Sequence, residues 1–169
     1  PEQIEMYTRV LKGHIAVASS KIKYGENGKK LDHLARKPLK EINCNFDHGT
    51  GHGVGSFLNV HENPPSISKN SKIKFEDGMI VSNEPGYYKE NHYGIRIENL
   101  ILSKLSNRMI TFKTITIAPF ERLLIDQSLL TTNEINWVNS YHKRVRNILT
   151  PSMNSNERDW LINQTAPLQ

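Results

Sequence analysis

The spacing of apolar residues changes period twice along this chain, and that change limits the possible folds more than any other feature. Ile4, Tyr7, Leu11, Ile15 and Ala18 recur at steps of three and four, which is one face of a helix over 4–18. Gly25–Glu26–Asn27–Gly28 reads as a turn, and Leu31, Leu34 and Ala35 predict a second helix that Pro38 should start, kink or stop. The middle is different. Met79–Ser82, Tyr93–Ser103 and Met109–Ile117 are rich in β-branched and apolar residues and read as strands. Pro85–Gly86 and Glu90–Asn91 serve as turns between them, and Pro119 ends the last. Helical spacing then returns at Trp137, Tyr141, Val145 and Ile148, behind Thr131 or Thr132 as a cap. Ser155 could cap a final short helix holding Trp160 and Leu161. Helices, then strands, then helices predict an α+β fold around a mainly antiparallel sheet.

Composition narrows the function. The net charge is +5, but the basic residues are scattered, with the densest groups at Lys29–Lys30, Lys72–Lys74 and Lys143–Arg146. None is interleaved with aromatics, so the pattern argues against a nucleic-acid surface. No apolar run approaches the roughly 18 residues a bilayer span requires, and no signal peptide is visible. Cys44 is the sole cysteine, which excludes an intrachain disulfide and a cysteine-based zinc site. It reads as a buried structural thiol and fits a reducing, cytoplasmic setting. At 37% the apolar fraction is lean for 169 residues, and the first residue is Pro1 rather than Met. Both features fit a chain whose core is shared with sequence lying upstream.

Four polar segments carry the chemistry: His48-Gly-Thr-Gly-His52-Gly-Val-Gly55, Asn59-Val-His61-Glu62, Asn83-Glu84-Pro-Gly86 and Gly94-Ile-Arg96-Ile-Glu98-Asn99. Imidazole and carboxylate are ligand types for zinc, manganese, cobalt and iron. His52, Glu84 and Glu98 could supply one nitrogen and two carboxylates, and bridging carboxylates suit a pair of cations. Arg96 and Glu98 are two apart in an expected strand, so both should point to one face, with the guanidinium buried beside the carboxylates. Gly49, Gly51, Gly53 and Gly55 permit close backbone approach and unusual φ values. Taken singly, each signal is weak. A glycine-rich segment is more often a turn, a lone histidine more often a surface or core residue, and Glu84 or Glu98 may be written off as strand-end charge. The conjunction carries the reading. The glycine segment is followed by no Gly-Lys-Ser/Thr, departs from the dinucleotide fingerprint at His52, and Ser56 sits in no Gly-x-Ser-x-Gly elbow.

These segments, from His48 to Glu62, Gly78 to Tyr88 and Gly94 to Asn99, closely resemble the Xaa-Pro aminopeptidase (aminopeptidase P) branch of the "pita-bread" metallopeptidases. That family includes prolidase, methionine aminopeptidase and creatinase. The resemblance extends from Leu11-Lys-Gly-His-Ile-Ala16 to Trp160-Leu-Ile, essentially the whole chain. It implies the second half of a pita-bread domain over residues 1–118, with a helical extension over 119–169 packed on the same domain. It implies removal of the N-terminal residue from peptides with proline second, using a water activated by two divalent ions, with manganese expected.

By the same resemblance, His52, Glu84 and Glu98 are metal ligands, Glu84 doubling as general base and Glu98 bridging both ions. His61 steadies the tetrahedral intermediate, His48 lines the proline pocket, and Arg96 pairs with a metal-binding aspartate. The full-length protein is expected to be a cytoplasmic homodimer acting on peptides, with no nucleic-acid or membrane partner. One departure matters. The family's two ligand aspartates precede the first helix, and none of Glu2, Glu5, Glu26, Asp32, Glu41 or Asp47 sits in their motif. The chain is therefore expected to begin after them and to be inactive alone, with Arg96 turning onto Glu98. The competing readings are a non-catalytic pita-bread module binding protein or RNA, and a prolidase or creatinase-like hydrolase.

Overall fold

The computed structural model describes residues 1–55, 57, 59–62 and 65–169. Ser56, weighed above as a nucleophile, lies outside the described residues. The chain forms two compact units, Arg9–Thr116 and Pro1–Thr8 with Ile117–Gln169. In chain order the elements are α1 (Glu2–Ala18), β1 (Lys21–Lys23), α2 (Lys29–Lys40), β2 (Ile80–Asn83), β3 (Gly86–Lys89), β4 (Tyr93–Arg96), β5 (Asn99–Ser106), β6 (Met109–Thr114), α3 (Thr132–Leu149) and α4 (Ser155–Gln164). This is the expected α+β content. No helix among the described residues is long and apolar enough to cross a membrane.

In the unit Arg9–Thr116, one antiparallel sheet has the order β1-β6-β5-β2, and β3-β4 form a separate two-stranded ribbon. Val17 of α1, Leu31 and Ala35 of α2, and Ile22, Val81, Ile101 and Ile110 of the sheet meet Ile67 and Phe75 in one fully buried cluster. Each such side chain contributes roughly 1.5–3 kcal/mol through burial. The helices approach closely because Gly13 faces the Ala35 carbonyl, where a Cβ would collide with the backbone. β5 and β6 join through Asn107-Arg108, both at positive φ (49° and 61°), the conformation of a type I′ hairpin turn.

Several local expectations change. The predicted strand Tyr93–Ser103 is two strands in different sheets. β4 pairs with β3 and β5 with β2, and the chain crosses over at Ile97–Glu98, where the Ile97 N–H donates to the Pro85 carbonyl at 3.3 Å. Arg96 and Glu98 therefore do not share a strand face. Gly86 opens β3 rather than closing a turn, and β6 stops at Thr114, short of Pro119. Short β1 and β3 carried no periodic signal; pairing with β6 and β4 defines them. Pro38 lies in the last turn of α2, two residues before the helix ends. Cys44 is only half-buried.

In the other unit, Thr131, one of the two candidates, caps α3, in a reciprocal capping box with Glu134. Asn154, not Ser155, caps α4, because its side chain accepts from the Glu157 N–H while Glu157 reaches back. Phe120 stacks on Tyr141 at 4.8 Å, and Trp137 stacks on Tyr141 at 5.6 Å. Val138, Tyr141, Val145 and Leu161 are buried, whereas Ile148 and Trp160 are exposed.

Candidate metal centre

The segment Thr50–Val54 runs antiparallel beside β2 and brings the glycine-rich motif to the carboxylates. The N–H groups of Glu84 and Ser82 donate to the carbonyls of Thr50 and His52, both at 2.8 Å, and Val54 N–H donates to Ile80 at 3.0 Å. Gly51 is required here, because a Cβ would collide with the Ser82 carbonyl. None of Gly49, Gly51, Gly53 and Gly55 has a positive φ; the positive-φ glycines are Gly25 and Gly78. Close approach is the role of Gly51, and of Gly55 against the Glu62 side chain, and none of the four makes a left-handed turn.

His52, Glu84 and Glu98 each present one ligand atom, and these atoms lie within 4.8 Å of one another. His52 Nδ1 stands 3.0 Å from the Gly53 carbonyl, so its proton points there and Nε2 is left as an acceptor. Nε2 faces Glu84 Oε1 at 3.3 Å. Two acceptors so close require a cation between them, either a proton or a metal ion. A divalent ion with one nitrogen and two carboxylate donors fits this set.

Buried Ser82 ties the two sides together. Its Oγ accepts from the His52 N–H at 2.9 Å and donates to Glu84 Oε1 at 2.8 Å. Arg96 Nη1 reaches Glu84 Oε2 at 3.2 Å. Arg96 is exposed rather than buried, and its ion pair is with Glu84, not with Glu98 as expected. Its Nε donates to the Tyr88 hydroxyl at 2.8 Å. That bond, ahead of the charges of Glu84 and Glu98, raises the guanidinium pKa above its ordinary value.

The Tyr88 hydroxyl also meets His48 Nε2 at 2.9 Å, while His48 Nδ1 lies 2.7 Å from the Gly49 carbonyl. Tyr88 thus links His48 to Arg96 and, through it, to Glu84. The His61 ring is exposed and packs edge-on to His52 at 4.5 Å. His48, Gly49, Gly51, His52, His61, Glu84 and Arg96 line one pocket of about 210 Å³. All six residues singled out in the sequence are therefore close together.

A larger cavity of about 420 Å³ adjoins at His48 and Gly49 and includes Asp32 and Arg36. Asp32 is not available to a metal. It accepts from Arg36 Nε and Nη2 at 2.9 and 3.0 Å and from the Thr50 hydroxyl at 2.7 Å. Arg36 also donates to the carbonyls of Phe46 and His48 at 2.6 and 2.8 Å, which fixes the entry to the histidine motif. Sequence reasoning missed Ser82, Tyr88 and this buried pair. Two signals were present, polar residues in otherwise apolar strands and the i, i+4 spacing of Asp32 and Arg36 on a helix.

Comparison with known proteins shows the family of the chain. Residues 1–104 match the model of metallopeptidase family M24, and residues 108–168 match that of the C-terminal region of peptidase M24. Aminopeptidase P1 of Lotus japonicus is 46% identical over 96% of this chain and 26% of its own length. Xaa-Pro aminopeptidase 1 of Dictyostelium discoideum is 41% identical over 98% of the chain and 28% of its own. The crystal structure of X-prolyl aminopeptidase from Caenorhabditis elegans, described as a cytosolic enzyme with a di-nuclear active site, superimposes with a TM-score of 0.92 at 38% identity. It covers 99% of this chain and 29% of that one. Prolidase from Pyrococcus furiosus follows at 0.63 and 33%, over 71% of this chain. The chain spans between a quarter and three tenths of the length of the curated relatives.

Proposed function

Because the chain belongs to metallopeptidase family M24 and has its pita-bread fold in part, we propose that it carries the second half of the active site of an Xaa-Pro aminopeptidase. The observation that carries this reading is the convergence of His52, Glu84 and Glu98 within 4.8 Å. Two divalent ions, manganese by the resemblance and by the oxygen-rich donors, would be held there. His52, Glu84 and Glu98 account for three ligand groups, and a dinuclear set takes further donors from residues outside these 169. We place the activity in the cytoplasm.

When bound, the ions supply Lewis acidity, lowering the pKa of a water and polarising the scissile carbonyl. The chain's own residues do the rest. Glu84, which keeps a hydrogen bond from Ser82 on Oε1, accepts the water's proton and passes it to the departing proline nitrogen. His61, at the open side of the pocket, donates to the carbonyl oxygen as negative charge develops on it. His48, fixed by the Tyr88 hydroxyl, walls the space for the proline ring. Arg96 holds Glu84 Oε2, so that the carboxylate stays correctly turned.

Substrate choice tests the reading. A protein carrying this chain within a complete catalytic domain is expected to cleave Xaa-Pro peptides of three or more residues and to spare Xaa-Ala analogues. Equal turnover of both would remove the proline pocket from the account. Cleavage confined to dipeptides would move the protein to the prolidases.

A further inference from the structure

Behind the candidate metal centre lies a polar cluster to which none of the proposed steps appeals. Asn83 and Asn99 are register partners at the end of the β2–β5 ladder. Each is next in sequence to a candidate ligand, Asn83 before Glu84 and Asn99 after Glu98. Both are buried, and both reach the same residue of α1. Asn83 Nδ2 donates to the main-chain carbonyl of His14 at 2.9 Å, and Asn99 Nδ2 lies 3.1 Å from His14 Nε2. His14 is itself fully buried. Since the amide nitrogen is the donor, Nε2 is the acceptor and the ring is neutral. Burial, opposed by hydrogen bonds to the backbone of Ile97 and Asn83, lowers its pKa to about 4, which keeps the acceptor available at neutral pH.

We propose that His14 is a positioning residue for the cation site, fixing through Asn83 and Asn99 the separation of Glu84 and Glu98. Glu84 and Glu98 sit in the short gap between two ladders, the β2–β5 pair ending at Asn83 and Asn99 and the β3–β4 pair opening at Gly86 and Arg96, so backbone pairing fixes the strands on either side of them. One helix residue gripping both strand ends adds a buried side-chain constraint to that pairing, immediately beside the two carboxylates. Its carbonyl would hold Asn83 whatever the side chain, so the ring bears on the site chiefly from the Glu98 side, through the side chain of Asn99 and the backbone of Ile97, the two neighbours of Glu98. The inference rests on reading His52, Glu84 and Glu98 as cation ligands, and residues that orient metal ligands typically change affinity by roughly 10–100-fold when lost.

The test is Mn²⁺ uptake by the 169-residue chain, followed by water-proton relaxation, beside the melting temperature of the metal-free protein. His14→Leu and Asn99→Ala are each expected to weaken Mn²⁺ binding by about 10–100-fold, and the double variant by no more than the worse single. His14→Gln, whose amide oxygen reaches the place of Nε2, should stay within about threefold and so separate the hydrogen bond from general packing. A merely structural hub would lower the melting temperature of all three and leave affinity alone. If His14→Leu does not fold, Asn99→Ala against His14→Gln carries the same contrast. Glu84→Gln is the control. Should it lose Mn²⁺ while His14→Leu and Asn99→Ala retain parental affinity, or should His14→Gln fall as far as His14→Leu, the role of His14 is overturned and the cation site stands. If Glu84→Gln and the parent bind Mn²⁺ equally, the ligand reading falls and takes this inference with it.

Discussion

Each of the two units buries a neutral histidine, and the two are used differently. His14, in the unit Arg9–Thr116, meets Asn99, whose neighbour Glu98 brings a carboxylate oxygen within 4.8 Å of Glu84. His142, in the C-terminal unit, accepts from the Phe120 N–H at 3.1 Å among stacked aromatics. Burial lowers both pKa values to about 4. The nearby charges of Arg146 and Arg122 add to this at His142, whereas backbone hydrogen bonds oppose it at His14. The same buried ring thus serves a polar site in one unit and a loop–helix junction in the other. In the first, the groups it supports face an open pocket and carry reactive charge. In the second, the ring accepts one backbone N–H among stacked aromatics. Substitutions should therefore separate function from stability by unit.

The largest expected effect is at Glu84. In a complete catalytic domain Glu84→Gln should lower turnover by about 10²–10⁴-fold, the scale of a lost general base, with little change in melting temperature. Single-turnover kinetics beside calorimetry checks this, and near-parental turnover would break the assignment. His61→Ala should follow at about 10²–10³-fold in kcat, the loss of one oxyanion donor, with KM for an Xaa-Pro peptide nearly unchanged. A rise in KM alone would make His61 a binding residue only.

The C-terminal unit should answer in the opposite sense. Leu161→Ala empties a fully buried site and should cost about 2–5 kcal/mol by denaturant unfolding, with Mn²⁺ affinity unchanged. A change in affinity as large as that in stability would mean that the units are not separable in this way.

The reading of sequence succeeded where the cause was local. The three-and-four spacing from Ile4 to Ala18 and a threonine cap at 131 or 132 both rest on residues within a turn of one another. It failed where partner choice decides. Nothing in Tyr93–Ser103 marks the switch of partner at Ile97–Glu98, because β3 and β2 compete for that run through tertiary packing. The site was legible as a set of motifs and not as a mechanism of support. His52, Glu84 and Glu98 are ordinary residues singly. Ser82, Asn83, Asn99 and His14 become informative only once β2, β5 and α1 are placed side by side.

A smaller effect should come from acid. His142 has a folded-state pKa of about 4 against an ordinary 6.5, so the unfolded chain binds the proton more readily. Its contribution to stability is full above pH 6.5 and declines as pH falls toward 4, by at most ~3 kcal/mol. His142→Gln keeps an acceptor for the Phe120 N–H and removes the titration. Its stability should therefore fall less steeply than the parent's across that window in pH-dependent urea unfolding. Parallel profiles would show that His142 is not the residue being protonated.

The central claim, that three residues from three segments form one cation site, is tested most directly by Mn²⁺ titration of the 169-residue chain. Uptake is expected to reach no more than one ion per chain, weakly held because two carboxylates share the place with a single imidazole. His52→Ala, Glu84→Gln and Glu98→Gln should each weaken that uptake by at least about tenfold. Uptake indifferent to all three substitutions, or two ions held tightly by this chain alone, would contradict it.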